Sequence, residues 1–209
     1  MADFFNLSAG DLAALLCSRV CHDIISPVGA INNGLELLDE GGADEDAMRL
    51  IRTSARNASS RLQFARIAFG AAGSAGMMID TGDAEAVTVS FLKNEKPEVE
   101  WIGQRALLPK NKVKLLLNLV LVANGAIPRG GKLTIRLDDL ETAPKFTLTA
   151  TGPMVRVPHG FLEMHSGVKS EEPVNSHSVQ HYYTLLLARE AGMTISIHAS
   201  PEEIVLGVQ

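Results

Sequence analysis

Cys17-Ser-Arg-Val-Cys-His-Asp-Ile-Ile-Ser-Pro-Val-Gly-Ala-Ile-Asn-Asn-Gly-Leu-Glu-Leu-Leu38 decides the fold. Its apolar residues Cys17, Cys21, Ile24, Val28, Ile31, Leu35 and Leu38 step 4-3-4-3-4-3, the seam of a long helix that packs on others. Upstream, Ser8 followed by Asp11 forms a capping arrangement for the helix start. Downstream, Gly41-Gly42 provides the glycines that end a helix, and Asp44, Glu45 and Asp46 place negative charge where a new one begins. The next series, Ile51, Ala55, Ala58, Leu62, Ala65 and Phe69, repeats the same spacing with alanines that permit close helix approach. Two such helices joined by a short turn make an antiparallel hairpin. A hairpin alone cannot close a four-sided core, so the pattern predicts a homodimer whose two hairpins form a four-helix bundle.

Past this region the period changes. Gly70 to Gly76 is a run of small residues and predicts a linker, placing the hairpin in residues 1–75 and a second domain in 76–209. Alternating apolar residues predict strands around Val87, Val89 and Phe91, around Val99 and Trp101, at Leu133–Leu137, at Phe146–Leu148, at Ile195–Ile197 and near Val205. Helical stretches at about 111–126 and 178–191 interrupt them. The whole is expected to be α+β: a helical hairpin, then an α/β sandwich with helices on one face of a sheet.

Composition excludes several classes. The chain has 209 residues and a formal charge of −5, which repels nucleic acid. No apolar run approaches the roughly 20 residues of a membrane span, and the start lacks a signal-peptide pattern, so a soluble cytoplasmic protein with no membrane partner is expected. Cys17 and Cys21 lie on one helical face and read as small core residues of a reducing compartment rather than as a disulfide or metal site.

Chemistry concentrates at Val20-Cys-His22-Asp-Ile-Ile-Ser-Pro27. His22 falls about 100° around the helix from Cys21, outside the seam. It shares its face with Arg19, Ser18, Ser26, Gly29 and Asn33, mostly small groups that another protein could approach closely. An exposed neutral imidazole is a nucleophile. Asp23 is a candidate to orient it. Pro27 removes a helical hydrogen bond a turn beyond it. Ser26, Gly29, Ala30 and Asn33, with Arg19, are candidates for a docking face. Arg49, Arg52 and Arg56 recur at i, i+3, i+7 and add a basic stripe at the start of the second helix.

His22-Asp-Ile-Ile-Ser-Pro27 resembles the phosphoacceptor box of histidine kinases, and Leu116-Leu-Asn-Leu-Val-Leu-Val-Ala-Asn-Gly-Ala-Ile-Pro-Arg-Gly-Gly-Lys-Leu-Thr-Ile135 resembles the asparagine-box helix and following strand of their ATP-binding domain. The nucleotide motifs depart from that pattern. The magnesium-binding asparagine falls on Val122, with Asn118 one turn earlier and Asn124 on another face. The adenine-reading aspartate falls on Ala150, and a motif glycine on Met154. The phosphate loop falls on Asn175-Ser-His-Ser-Val-Gln-His-Tyr182, which has no glycine. Metal ligand, base reader and phosphate nest are thus all replaced.

An intact phosphoacceptor box beside a lost nucleotide site resembles the dimeric histidine phosphotransferases of bacterial phosphorelays, in particular those of alphaproteobacterial cell-cycle control. The resemblance implies acceptance of a phosphoryl group on His22 from the receiver domain of a CckA-like hybrid kinase and delivery to CtrA-like and CpdR-like response regulators. It implies no cofactor bound by this chain, with Mg²⁺ supplied by the receiver. An ATP-dependent histidine kinase and a non-catalytic dimeric adaptor are the alternative readings.

Overall fold

The computed structural model describes residues 5–41, 44–70, 78–168 and 173–209. Helix α1 spans Ala9–Asp39. Ser8 Oγ accepts the Asp11 backbone N–H at 3.1 Å and donates to the Asp11 carboxylate at 2.7 Å, which satisfies a helix-start donor otherwise left unpaired. Pro27 is buried inside this continuous helix. At the far end Gly41 takes the left-handed conformation, φ +73°, that closes a helix without a Cβ clash. Gly42 and residues 71–76 of the small-residue run lie outside the described residues. Helix α2 (Asp44–Ala68) returns antiparallel. A Cβ at Gly34 would sit 2.6 Å from the Ile51 side chain and 3.2 Å from the Ala47 carbonyl, so this glycine sets the close approach of the two helices.

Alternate members of each heptad series face different ways. Ile24, Ile31 and Leu38 on α1, and Ile51, Ala58 and Ala65 on α2, are buried or half-buried. Cys17, Cys21, Val28, Leu35, Ala55 and Leu62 are exposed within one chain. The sequence expectation that both cysteines sit in a core is therefore not met in the single chain, because among the described residues no element covers the face that carries them. Val28, Leu35 and Leu62 are 42%, 48% and 49% exposed, a continuous apolar stripe. By length and composition alone, α1 is also apolar enough to cross a membrane, contrary to the expectation that no apolar stretch reaches that length.

The remaining chain forms β1 (Met78–Asp80), α3 (Thr81–Leu92), β2 (Pro97–Ile102), β3 (Leu107–Pro109), α4 (Lys110–Ala126), β4 (Gly131–Asp138), β5 (Lys145–Thr151), α5 (His159–His165), α6 (Val179–Ala191), β6 (Ile195–Ala199) and β7 (Glu203–Val208). Five strands make one sheet in the order β2-β4-β5-β7-β6, parallel only between β2 and β4, and β1 pairs with β3 separately. Leu133, Ile135, Leu137, Phe146, Leu148, Ile204 and Leu206 alternate inward to one covered face.

One expected strand is wrong. Residues 87–91 lie in α3, begun by Asp80, whose carboxylate accepts the Gly82 N–H at 2.7 Å. Val87 and Phe91 face the core four residues apart, while Val89 between them is 44% exposed. A spacing of four fits one helical face as well as alternate strand positions.

The last turns of α2 belong to the same core as the sheet. Phe64 stacks on Phe91 with ring centroids 4.6 Å apart, and Phe64, Ile67 and Ala68 join the cluster of α4 and the strands. Asn118, fully buried on α4, donates its amide to the Ala68 carbonyl at 3.0 Å and to the Lys114 carbonyl at 2.9 Å. The hairpin and the sheet domain are thus joined by packing as well as by the chain between them.

Candidate functional site

His22 stands on α1 with its side chain 66% exposed. Its Nδ1 lies 3.5 Å from Asp23 Oδ1. The second carboxylate oxygen of Asp23 accepts from Arg19 Nε at 3.0 Å, an i,i+4 pair on the same helix. Arg19 therefore holds Asp23, and Asp23 faces one nitrogen of His22. Pro27 has no N–H to give to the Asp23 carbonyl four residues back, which leaves that carbonyl without its helical donor beside the histidine.

The candidate docking residues divide by place. Ser26 and Asn33 are exposed and Gly29 and Ala30 half-buried, and by helical phase they continue the His22 side of α1. A Cβ at Gly29 would meet nothing within 4 Å, so the surface there is low and open. Arg49, Arg52 and Arg56 line an open groove on α2 with Glu45, Met48 and Thr53. Arg49 pairs with Asp46 at 2.6 Å, while Arg52 and Arg56 make no ion pair among the described residues. Asp23 and Arg61 line one small cavity and so lie at one level. The stripe begins five residues from Arg61, roughly 8 to 18 Å along the helix axis. It also points away from the α1-facing side formed by Ile51 and Ala58. Within one chain the basic stripe and the histidine face are separate surfaces.

A residue not singled out from the sequence reaches the histidine. The His177 ring meets the His22 ring edge-on, with centroids 5.4 Å apart and planes at 78°. His177 precedes α6 in the segment aligned above with the phosphate loop. The signal available in the sequence was Asn175 followed by Ser178 at a helix start, which marks a fixed turn. Four residues later, His181 is half-buried and its Nδ1 has no hydrogen-bond partner among the described residues. Burial first, and the Arg19 charge second, hold its pKa down at about 4.

Two positions aligned with nucleotide-site residues are packed into the core. Val122 on α4 and Ala150 on β5 are 1% and 0% exposed and sit in the hydrophobic core. The Asn118 amide N–H groups donate to the carbonyls of Ala68 and Lys114, and its side-chain oxygen is buried with no hydrogen-bond partner among the described residues. After β5 the chain closes on the end of α4, where Arg156 N–H donates to the Ala126 carbonyl at 2.9 Å. Phe161 on α5 is fully buried against the rings of His165 and His181. Gly152 persists for a backbone reason, since a Cβ there would lie 2.4 Å from the Gly130 carbonyl oxygen. Among the described residues no three His, Cys, Asp or Glu side chains gather as a cation site.

This combination, a surface histidine on a helical hairpin packed against an α/β sheet domain, defines a class. The chain belongs to the histidine phosphotransferase family, whose C-terminal domain model matches residues 81–203. It is similar to the protein phosphotransferase ChpT of Brucella abortus (strain 2308), at 70% identity over 204 residues, 98% of each chain. It is also similar to a bacterial phosphotransferase of solved structure at 68% identity, 98% coverage of each chain and a TM-score of 0.93. A distant likeness, the histidine kinase domain of a blue-light-activated kinase from Erythrobacter litoralis, has 12% identity and a TM-score of 0.48, covering 85% of this chain and 93% of that one.

Proposed function

We propose that this phosphotransferase relays phosphoryl groups between proteins through His22. It takes the group from the aspartyl phosphate of one receiver domain and gives it to the aspartate of another. The observation that carries this reading is an exposed imidazole whose Nδ1 faces a carboxylate held by Arg19. With the proton on Nδ1, pointing at Asp23, the Nε2 lone pair is free to attack.

Nε2 attacks phosphorus in line. The P–N bond forms as the P–O bond to the receiver aspartate breaks, and the electron pair of that bond stays on the receiver carboxylate. The ring becomes cationic, and the Nδ1 proton is shared with or passed to Asp23. Delivery runs the same steps backwards, so one site serves both directions. The receiver brings the Mg²⁺ that neutralises the phosphoryl oxygens. What this chain supplies is position, worth about 7–11 kcal/mol in favourable cases.

The same reading assigns no ATP-dependent kinase activity. Its support is Val122 and Ala150, apolar and buried where a metal ligand and a base reader are required. It also makes the protein a homodimer. The exposed members of both heptad series, Cys17, Cys21, Val28, Leu35, Ala55 and Leu62, form the face a second hairpin would cover. Arg19, Asp23 and Glu36 on α1 suit that occupant better than a lipid interior. The low face of Ser26, Gly29, Ala30 and Asn33 would seat the receiver, with Arg52 and Arg56 free to meet its acidic groups. A CckA-like donor, CtrA-like and CpdR-like acceptors, a cytoplasmic location and a cell-cycle role follow from the resemblance to the family.

Incubation of the wild type with a phosphorylated receiver, without nucleotide, tests the reading. Acid-labile label is expected on the wild type and none on His22→Ala. Equal labelling of both would rule His22 out, and a kinase would label itself only when given ATP.

A further inference from the structure

We infer that His177 is a positioning residue of phosphoryl transfer, through which the sheet domain fixes the His22 ring. This rests on His22 being the phosphoacceptor. Three observations lead to it. First, the two rings are in edge-to-face contact at 5.4 Å, although they belong to different parts of the fold. Second, the backbone that carries His177 is pinned. Asn175 Oδ1 accepts the N–H groups of His177 and Ser178 at 2.9 and 3.1 Å, Ser178 Oγ accepts the Asn175 N–H at 3.0 Å, and the Asn175 carbonyl accepts the Val179 N–H at 2.8 Å. Where a nucleotide-binding loop would use flexible glycines, this chain has a rigid turn aimed at α1.

Third, α6 is itself strapped to the start of the chain. Tyr182 Oη accepts the Leu7 N–H at 3.2 Å, the Phe5 ring meets the Tyr182 ring at 5.3 Å, and Arg189 lies over Phe5 at 4.3 Å. Leu12 and Leu16 of α1 pack against the common core. The distance between His177 and His22 is thus set by fixed elements on both sides.

Asp23 restrains His22 at one nitrogen, and that contact is long at 3.5 Å. A single long contact leaves the ring free to turn about its χ angles. A second contact from His177 removes that freedom and still leaves the side chain 66% exposed for in-line approach. The sheet domain then has a use in the relay that needs no nucleotide. Ring-edge contacts of this kind correspond to roughly a three- to tenfold effect on a rate.

The test is the transfer rate from a phosphorylated receiver to the full-length protein, measured over a range of receiver concentrations. His177→Ala is expected to lower the rate at saturation roughly three- to tenfold and to leave the half-saturating concentration unchanged. A docking residue would instead raise the half-saturating concentration. His177→Phe keeps a ring edge and no nitrogen, and is expected to recover most of the rate. Wild-type kinetics in His177→Ala, a change confined to half-saturation, or a His177→Phe variant as slow as alanine would each overturn the inference. A wild type that takes no label on His22 would fail at the earlier step, and so is told apart from these.

Discussion

Restoring the asparagine that a nucleotide site requires should damage this protein rather than repair it. Val122 is 1% exposed and lies in the core formed by α4, the sheet and the end of α2. Val122→Asn keeps the volume nearly constant but buries an amide with two donors and an acceptor among apolar neighbours. Loss of the buried methyl groups costs about 1.5 kcal/mol, and the unpartnered amide adds about 1–3 kcal/mol. The sum, about 2.5–4.5 kcal/mol, is a large part of a typical domain stability. Val122→Ala removes the methyl groups without adding the amide, so the difference between the two variants isolates the buried polar group. Urea unfolding followed by circular dichroism, at one fixed protein concentration, measures both. Titration calorimetry with Mg-ATP at millimolar concentration completes the comparison, and no saturable heat is expected from any of the three proteins. If Val122→Asn is no less stable than Val122→Ala, or if it binds Mg-ATP, the site is open and the packing argument is wrong.

Leu35→Asp should separate the proposed dimer while leaving each chain folded, because Leu35 is 48% exposed within one chain. Sedimentation at micromolar concentration should show a dimer for the wild type and a monomer for the variant; a monomeric wild type would contradict the bundle. His181 should make the fold acid-sensitive. Its folded pKa of about 4 lies below the ordinary 6.5, so the unfolded chain binds more protons between these values and stability falls as pH drops through them. The loss begins below about 6.5, is complete below about 4, and amounts to at most about 3 kcal/mol. Unfolding midpoints measured across this range should flatten in His181→Asn relative to the wild type, and equal slopes would show that another group is responsible.

The helical hairpin was legible because its signal is local. Seven apolar residues at heptad spacing, a Ser8 cap and Gly41 each act within a few residues of themselves, and the structure has all three. The sheet strands were legible for the same reason, since Leu133, Ile135 and Leu137 point inward by simple alternation. The segment 87–91 was misread because Val87 and Phe91 satisfy both periods, and Asp80, the cap that decides the matter, lies before them. Phe64 and Ile67 also resist a local reading. They fall off the heptad seam, and only the packed domain shows that they bury against α3 and α4. At the site, His22, Asp23 and Arg19 share one helix, and helical geometry alone brings them together. His177 reaches them from a distant part of the chain through the placement of α6, which no spacing rule encodes.

The relay through His22 is tested most directly by a two-step transfer followed by phosphorus-31 NMR. Wild-type protein is given a phosphorylated receiver without nucleotide, freed of the donor, and mixed with a second, unphosphorylated receiver. A phosphoramidate signal is expected after the first step, assigned to His22 by its absence in His22→Ala. On addition of the second receiver and Mg²⁺ it should disappear as an acyl phosphate appears on the acceptor. A signal that forms equally in His22→Ala, or one that forms in the wild type and never passes to any second receiver, would contradict the relay.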